Sequence, residues 1–293
     1  MEVVQVKYAI VGGDARSAQL AAMLAQDGHR VCAFALEKAD VGEAVKTGCL
    51  QGCVYGADCV VLPVPAESGG LLNTPLSDNV LRMSEVMGAL WTGQILIAGR
   101  LSDASAAQGL RAGVHMEDVM LRPEFLMGNA ALTAECAIAR LIDESDRALM
   151  DSAVLVCGWG RIGRLLALRL AALGASVTVA ARSRTARAEA AALGLGSVDY
   201  VLLETEMSAF DFVVNTVPAR VLTDAMLCMA GDGALFMELA SPPGGFDRTL
   251  AENIGLHVVA APGLPGKYAA RSAAALIKST VYDVLREQYD EEE

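Results

Sequence analysis

The stretch AVLVCGWGRIGRLLALRLAALGASVTVAARSR, residues 153–184, contains an apolar strand, a glycine-rich turn, a helical pattern and a second apolar strand. Its turn has the spacing Gly158-x-Gly160-x-x-Gly163. In such a turn the first glycine permits tight reversal, the second lets the backbone approach a pyrophosphate, and the third lets helix and strand pack closely. The helix then offers free N–H groups and its positive dipole end to the pyrophosphate. The stretch therefore predicts a dinucleotide-binding βαβ unit.

The end of the second strand bears on which dinucleotide binds. NAD sites usually have an acid about twenty residues after the glycines, where it holds the ribose 2′-hydroxyl. Here the strand ends in Ala181, Arg182, Ser183 and Arg184, without an acid. Arginine and serine donors suit a 2′-phosphate, which an acid would repel. We therefore expect NADP rather than NAD. The alternative is that both arginines are ordinary surface charge.

Later strands end in loops that we expect to extend the nucleotide site. These loops occur in DFVVNTVPARVL (211–222), FMELASPPGG (236–245) and VVAAPGLPGK (258–267). Ligands of open α/β sheets bind beyond the carboxyl ends of the strands, so the loops should border one crevice. Turn chemistry alone is the alternative for each loop. The predicted cofactor-binding residues are Gly158, Trp159, Gly160, Arg161, Ile162, Gly163, Ala181, Arg182, Ser183, Arg184, Asn215, Thr216, Val217, Pro218, Leu239, Ala240 and Ser241.

Strands alternate with helical patterns in both halves of the chain. The expected strands are 6–11, 30–35, 58–62, 94–98, 153–157, 176–180, 210–214, 234–238 and 257–260. The expected helices are 15–27, 77–87, 161–173 and 184–193. This alternation predicts right-handed βαβ units and parallel sheets. The predicted fold class is α/β, with two doubly wound Rossmann-like domains.

Two further helical patterns are expected to join the domains. The alanine-rich segment 128–147 links the halves, and 267–289 follows the last strand. We expect residues 1–127 to form a substrate domain, on which a C-terminal helix, 268–293, packs back. Residues 128–267 then form the NADP-binding Rossmann domain.

Composition limits the classes of partner. The chain of 293 residues is 54% hydrophobic and has a formal net charge of −12. This charge argues against nucleic acid or an anionic membrane surface as the main partner. The seven cysteines and three histidines show no metal-ligand spacing, so no metal is expected. Since we see neither a signal-peptide pattern nor an apolar run of about 18–20 residues, we expect a cytoplasmic protein without a membrane span.

The first strand ends in a turn of different composition, GGDAR, residues 12–16. A dinucleotide turn would have a third glycine near Arg16, and Asp14 would repel phosphate. We therefore expect substrate contacts at this end of the first domain, where PVPAESGG (63–70) and AGR (98–100) also end strands. The expected roles are carboxylate binding by Arg16 and Arg100, orientation of a donor by Asp14, and accessory contact by Ser68. A capping pair of Asp14 and Arg16 is the alternative.

Among the three histidines, His115 is the candidate for chemistry. It lies in GVHMEDVM, with two acids close by in the sequence. His29 and His257 are interpreted as structural. The acceptor for a proton released in the reaction is left open between His115, Glu135 and water.

Taken together, six segments resemble the family of dipicolinate synthase A subunits. They are IVGGDAR (10–16), GNAALTAE (128–135), GWGRIG (158–163), NTVP (215–218), ELASPPGGFD (238–247) and APGLPGK (261–267), in the family's order and spanning nearly the whole chain. The architecture also resembles 2-hydroxyacid and alanine dehydrogenases. However, Ser241-Pro242-Pro243 replaces the arginine–glycine turn of 2-hydroxyacid dehydrogenases, and no His–Glu pair matches their acid/base couple.

The resemblance implies an enzyme, an NADP-dependent oxidoreductase that converts dihydrodipicolinate, or its hydroxy-tetrahydro precursor, to dipicolinate during sporulation. It implies a smaller B subunit with a flavoprotein-like fold, an oligomeric assembly, and the mother-cell cytoplasm of a sporulating bacterium. The chemistry agrees with the residues, because aromatisation favours hydride loss and the protein then mainly has to position two carboxylates.

Two other functions stay open on sequence. One is an NADP-dependent dehydrogenase or reductase of another small carboxylate, of the 2-hydroxy, 2-oxo or amino acid type. The other is a non-catalytic NADP-binding regulatory subunit whose partner performs the chemistry.

Overall fold

A computed structural model describes residues 5–291 and contains two compact units. The first unit comprises Met1–Asn129 and Pro265–Glu293, and the second comprises Ala130–Leu264. Each unit has a parallel six-stranded sheet flanked by helices. The predicted fold class is thereby confirmed.

The first unit begins with a strand and a helix joined by the turn that contains Gly12 and Gly13. Its strands are β1 (Lys7–Val11), β2 (Arg30–Phe34), β3 (Val45–Lys46), β4 (Cys59–Val61), β5 (Glu67–Ser68), β6 (Leu71–Leu72), β7 (Ile95–Ala98) and β8 (His115–Asp118). Its helices are α1 (Ala15–Gln26), α2 (Leu50–Val54), α3 (Met83–Gly88) and α4 (Asp103–Arg111), and a 3₁₀ turn covers Val119–Leu121. The strand order is β3-β2-β1-β4-β7-β8, and β5 and β6 form a separate antiparallel hairpin.

Helix α5 (Pro123–Asp143) leads into the second unit, which repeats this strand order. The strands are β9 (Ala153–Cys157), β10 (Ser176–Ala180), β11 (Gly196–Val198), β12 (Phe212–Asn215), β13 (Leu235–Glu238) and β14 (His257–Ala260). The helices are α6 (Arg161–Ala172), α7 (Arg184–Ala192), α8 (Tyr200–Leu203), α9 (Asp224–Cys228) and α10 (Arg248–Asn253), and a 3₁₀ turn covers Glu204–Ala209. The order β11-β10-β9-β12-β13-β14 reverses direction at β9 and β12, where doubly wound sheets bind ligands.

Burial of both faces explains the uninterrupted apolar strands. In β1, Tyr8 and Ile10 join a core cluster that includes residues of α1, whereas Ala9 and Val11 join one that includes residues of α2 and α3. Alternate strand residues point to opposite faces, so a parallel strand covered on both sides needs apolar residues throughout.

Two terminal helices, α11 (Leu264–Tyr268) and α12 (Ala270–Glu291), complete the chain. Helix α12 places Ile277 and Val281 in the same cluster as Leu20 and Leu24 of α1. At the end of α1, Asp27 accepts hydrogen bonds from Lys278 and Tyr282, at 2.7 and 2.6 Å. The last helix is therefore part of the core of the first unit.

Several predicted boundaries differ from the structure. The helix expected over 77–87 begins at Met83, because the residues before it form an irregular loop that ends in a bridge between Arg82 and Leu71. The helix expected over 128–147 is α5, which begins at a proline, a residue suited to a first helical turn. Strands β3, β8 and β11 were not predicted, because they are short edge strands with few buried residues.

By length and composition, α5 is the one described helix that could cross a membrane. This is weak evidence, since core helices of globular proteins pass the same test, and 44% of its most apolar window is buried. Its buried positions include Ala130, Ala134, Ala137 and Leu141, which lie along one stripe.

Candidate functional site

The glycine turn between β9 and α6 has the backbone that a dinucleotide site requires. Gly158 has φ +103°, and a Cβ there would lie 2.6 Å from the Thr216 hydroxyl oxygen. A Cβ on Gly163 would lie 2.3 Å from the Gly158 carbonyl oxygen. By contrast, a Cβ on Gly160 would meet no atom within 4 Å. Two glycines thus allow close packing, and the third faces open space that a pyrophosphate could occupy.

Helix α6 begins without a side-chain cap. Its N-cap residue is Gly160, and Arg161 is the first helical residue. A helix start leaves backbone N–H groups without intrahelical partners, and a phosphate group can accept from them. Arg161 is exposed and Ile162 is half-buried. This helix start is chemically suited to an anion.

Trp159 is directed toward α7 by its own contacts. Its indole Nε1 donates to a Glu189 carboxylate oxygen at 2.9 Å, and Arg164 donates to the same oxygen at 2.8 Å. The Arg164 guanidinium lies 5.3 Å from the indole ring centre. We interpret Trp159 as a residue that supports the glycine turn from outside.

The end of β10 has the cationic character predicted for it. Arg182, Ser183 and Arg184 are exposed, and the first turn of α7 has no acid. Ser183 caps this helix, because its hydroxyl oxygen accepts from the Ala186 N–H at 3.3 Å. Its hydroxyl hydrogen can still be donated to a ligand oxygen.

Sequence reasoning missed Arg187, which holds this strand end in place. Its guanidinium donates to the carbonyl oxygens of Ala181 and Arg182 at 2.6 and 2.9 Å. It also pairs with Asp199 at 2.7 Å. The backbone that presents Arg182 and Ser183 is therefore fixed by a side chain one turn into α7.

A buried polar network joins the loops that follow β12 and β13. Asn215 is fully buried, and its amide nitrogen donates to Glu238 at 2.7 Å and to the Val217 carbonyl oxygen at 2.9 Å. Glu238 also accepts from the N–H groups of Ala240 and Gly245, at 2.9 and 2.7 Å. One carboxylate thus connects both loops.

The pKa of Glu238 is raised because burial disfavours its charged form. Hydrogen bonds from Gly245, Asn215 and Ala240 act in the opposite direction but do not cancel the effect of burial. Gly245 has to be glycine, because a Cβ there would lie 2.3 Å from the Asn215 amide. The adjacent glycines in SPPGG were the sequence signal for this close approach.

The remaining predicted residues of these loops surround the network. The Thr216 hydroxyl donates to the Cys157 carbonyl oxygen at 2.7 Å, which holds the residue against the glycine turn. Leu239 is buried and its N–H donates to the Asn215 carbonyl oxygen at 3.0 Å. Ser241 is exposed, and Pro218 is exposed.

The loops after β12, β13 and β14 also line a cavity of about 430 Å³ that is open to solvent on one side. Its lining includes Glu238, Ala240 and two arginines, Arg220 and Arg248, which the sequence analysis did not select. The pattern that could have indicated Arg220 is its position three residues after Val217, in a loop already assigned to the site.

In the first unit, Asp14 and Arg16 form the capping pair that was the alternative interpretation. Asp14 is the N-cap of α1, and its carboxylate accepts from the Arg16 N–H at 3.0 Å. The Arg16 guanidinium donates to Asp14 at 2.8 Å and to the Val64 carbonyl oxygen at 2.5 Å. Its side chain is only 11% exposed. Most of its donors are therefore already engaged.

The hairpin of β5 and β6 covers the turn formed by Gly12 and Gly13. The Gly13 N–H donates to the Asn73 carbonyl oxygen at 2.8 Å. A Cβ on Gly12 would lie 2.9 Å from Leu72 and 3.0 Å from Thr74. This turn has no room for a pyrophosphate, which explains why its glycines do not make a second dinucleotide site.

Arg100 lies at the carboxyl end of β7 and is exposed. Its φ is +57°, which is uncommon for a residue with a side chain and is often found at functional sites. The Arg100 N–H donates to Asp118 at 2.9 Å, and this contact supports the unusual backbone. Ser68 is also exposed, in the hairpin.

The structure does not place His115 with these residues. His115 is the first residue of β8 and pairs with Ile95, whereas Asp118, at the other end of the strand, pairs with Ala98. At about 3.3 Å per residue, His115 lies about 10 Å from the edge where Arg100 follows β7. The structure therefore separates His115 from Arg100 within this sheet, and a role of His115 in the reaction stays a prediction. Because β8 was not predicted, the sequence could not show that His115 lies at the amino end of a strand.

The seven cysteines are free thiols. Burial raises the pKa of Cys53 to about 12 and also raises that of Cys157, beside the glycine turn. Such thiols stay protonated and unreactive. Within the described residues, no group of three or more His, Cys, Asp or Glu side chains could hold a metal ion.

Known proteins match the chain over both units. Residues 7–120 match the N-terminal domain of the dipicolinate synthase A subunit, and residues 130–231 match the NAD-binding domain of D-isomer specific 2-hydroxyacid dehydrogenases. The dipicolinate synthase A subunit of Bacillus subtilis (strain 168) is 30% identical, over 98% of each chain.

Solved structures agree with these matches. The crystal structure of the dipicolinate synthase A chain from Bacillus subtilis has a TM-score of 0.84 and 28% identity, covering 99% of this chain and 98% of that one. The corresponding crystal structure from Bacillus halodurans has a TM-score of 0.83 and 24% identity, covering 96% and 97%. The latter likeness supports the fold.

The sheet order, the glycine turn and the matched nucleotide-binding domain define a dehydrogenase-type oxidoreductase with an NAD(P)-binding Rossmann unit. More specifically, the chain belongs to the family of dipicolinate synthase A subunits. The resemblance found in the sequence is thereby confirmed.

Proposed function

We propose that this protein oxidises dihydrodipicolinate, or its hydroxy-tetrahydro precursor, to dipicolinate with NADP. The observation that carries the proposal is the 30% identity to a dipicolinate synthase A subunit, which extends over 98% of both chains. A match of this extent includes the first unit, where the distinguishing GGDAR turn lies, as well as the more general nucleotide-binding unit.

The choice of NADP rests on the end of β10. Arg182 and Arg184 are exposed on either side of the Ser183 cap, and no acid occurs in the first turn of α7. The nearby Asp199 is paired with Arg187 at 2.7 Å, which balances its charge. These contacts favour a ribose that bears a 2′-phosphate.

Oxidation of dihydrodipicolinate removes a hydride and a proton from the ring, and the hydroxy-tetrahydro precursor would in addition lose one water molecule. NADP⁺ held at the Gly158–Gly163 turn would supply the hydride acceptor, and water would take the proton. We assign the binding of substrate carboxylate to Arg100, the exposed cation with strained backbone, and secondarily to Arg16. Asp14 would orient Arg16, and Ser68 would make an accessory contact.

We further propose that the chain works within a larger assembly in the mother-cell cytoplasm of a sporulating bacterium. Its 30% identical relative is named as one subunit of a synthase, which supports a partner. That partner would be the smaller B subunit, with a flavoprotein-like fold.

A second candidate is the oxidation or reduction of another small carboxylate with the same cofactor. The match of residues 130–231 to 2-hydroxyacid dehydrogenases favours it. Against it, Ser241-Pro242-Pro243 occupies the position where those enzymes have an arginine–glycine turn.

The test is to generate dihydrodipicolinate in situ and follow NADPH formation as the B subunit is titrated in. We expect NADPH to form with this substrate and not with 2-hydroxy or amino acids. The Arg100→Ala variant should lose activity. The control variant Arg147→Ala should keep it, because Arg147 is an exposed side chain whose partner is Asp211, just before β12. The absence of turnover at every concentration of partner would refute the proposal. Unchanged activity of the Arg100 variant would refute the assigned role of Arg100.

A further inference from the structure

The cavity of the second unit has a volume and a lining that suit a small ring. Its volume of about 430 Å³ exceeds what a few water molecules need. Pro242, Pro243, Pro262 and Phe246 contribute to its walls. Proline and phenylalanine rings offer flat apolar surfaces, against which a planar ligand can pack.

Two cations line the same cavity. Arg220 follows β12, and Arg248 begins α10, so they approach from different loops. Both side chains are 54% exposed. Guanidinium groups bind carboxylates through paired hydrogen bonds, and two of them can hold two carboxylates on one ring.

The carboxylates that pair with these two arginines could be replaced by a ligand carboxylate at little cost in free energy. Arg220 pairs with Asp224, and Arg248 pairs with Glu252 at 3.3 Å, in each case four residues further along the chain. Exposed pairs of this kind are worth about 0–1 kcal/mol. In the part of the chain that the structure describes, neither terminal nitrogen of Arg248 donates a hydrogen bond to another protein group. A ligand carboxylate could therefore bind without a large cost.

The acids of the lining are engaged with backbone donors. Glu238 accepts from the N–H groups of Ala240 and Gly245 and from the Asn215 amide. Asp247 caps α10 by accepting from the Leu250 N–H at 3.0 Å, and lies 3.8 Å from Arg220. Their negative charges are thus partly compensated from within the loops. The arginines remain as the charged donors for a ligand.

We propose that this cavity binds a planar ring carboxylate, and that Arg220 and Arg248 are the specificity-determining residues that contact its carboxylates. This inference rests on the proposed function, since it assigns that function's ring dicarboxylate to a pocket of the nucleotide-binding unit.

The test is calorimetric titration of pyridine-2,6-dicarboxylate into protein saturated with NADPH, in metal-free buffer. Arg220→Ala and Arg248→Ala should each weaken dicarboxylate binding about tenfold to a hundredfold. Their affinity for NADPH should stay within about twofold of wild type. Pyridine-2-carboxylate, which lacks one carboxylate, should be less sensitive to at least one substitution.

Arg147→Ala is the matched control, because Arg147 is 51% exposed and pairs with Asp211 at 2.8 Å, at the amino end of β12. It should bind both ligands like wild type. If an alanine variant unfolds, Arg220→Lys or Arg248→Lys gives the same comparison, because lysine keeps the charge but loses the paired hydrogen bonds.

The outcomes separate this inference from the proposed function. Equal dicarboxylate affinity in wild type and both variants overturns the inference alone. Parallel loss of NADPH and dicarboxylate binding also overturns it, because the cavity then belongs to the nucleotide. If wild-type protein binds NADPH but no dicarboxylate, the proposed substrate is wrong, and the inference is refuted with it.

Discussion

Two strand–turn–helix segments occupy the same central position in the two sheets, yet their turns differ. Between β1 and α1, Gly12 and Gly13 are covered by the β5–β6 hairpin, and Asp14 caps the helix. Between β9 and α6, the space above Gly160 is open, and the helix has no side-chain cap. At the start of α1 the Asp14 carboxylate accepts from the Arg16 N–H, whereas the start of α6 has no side-chain acceptor and can offer its N–H groups to a ligand.

This difference shows that strand order alone does not create a nucleotide site. Both sheets have the order of a doubly wound dinucleotide-binding fold. What differs is a hairpin of a few residues and one aspartate, which fill the positions that a pyrophosphate would need. Function depends on the loops that a fold carries.

The largest effect should follow from closing the open turn. Gly160→Val would place a side chain where the pyrophosphate is expected, and its Cβ would meet no protein atom within 4 Å. We expect about a hundredfold loss of NADP affinity, or about 2.7 kcal/mol, with little change in melting temperature. Titration calorimetry and thermal unfolding measure the two quantities.

The corresponding change in the first turn is the control. Gly12→Ala introduces a side chain at φ +71°, 2.9 Å from Leu72. It should lower the free energy of unfolding by about 1–2 kcal/mol and leave nucleotide affinity unchanged. If Gly12→Ala weakened NADP binding as much as Gly160→Val, the contrast between the turns would be wrong.

The next effect concerns which nucleotide the second turn accepts. Arg182→Asp puts a negative charge at the end of β10, where a 2′-phosphate is proposed to bind. NADP affinity should fall about tenfold or more, while NAD affinity changes by less than about threefold. Calorimetric titrations with both nucleotides test this. Equal losses would contradict the NADP assignment.

A smaller effect tests whether the first turn is a cap or a chemical site. Asp14→Ala removes the N-cap acceptor of α1 and the partner of Arg16. As a cap, its loss should cost about 1 kcal/mol of stability and leave kinetic constants unchanged. A melting curve and a steady-state assay distinguish the cases. A fall in kcat/KM at unchanged stability would instead support a role in substrate binding.

The smallest effect is the pH dependence of the stability that Asp27 contributes between α1 and α12. Burial alone would raise the pKa of Asp27, but hydrogen bonds from Lys278 and Tyr282 together lower it below 3.8. Because the folded pKa is depressed, the stabilisation is present above pH 3.8 and is lost as the pH falls through the folded value. This partly exposed group contributes less than about 1 kcal/mol.

Urea unfolding of wild type and Asp27→Asn, near neutral pH and near pH 3, measures this contribution. The variant should be less stable near neutral pH and should approach wild type in acid. A stability difference that stayed constant across this range would show that the carboxylate charge is not responsible.

The amount that could be predicted differed between the two units. In the second unit, the strand, the glycines and the next strand are adjacent in the chain, and each appeared where expected. In the first unit, the hairpin that covers Gly12 lies about sixty positions further along the chain. No local pattern indicated that the hairpin folds over this turn. The position of His115 in the sheet was not predicted for a similar reason, since β8 is an edge strand with no apolar run.

The sequence by itself determined the α/β class, the parallel strands and the glycine turn, because periodic burial and close backbone approach are local requirements. Only the tertiary structure decided that the first turn is covered, that Glu238 connects two loops, and that Arg220 and Arg248 line one cavity. Those features depend on which loops lie next to each other at the carboxyl edge of a sheet. Contacts between residues far apart in the chain decide this, and the spacing of residues along the chain does not predict such contacts.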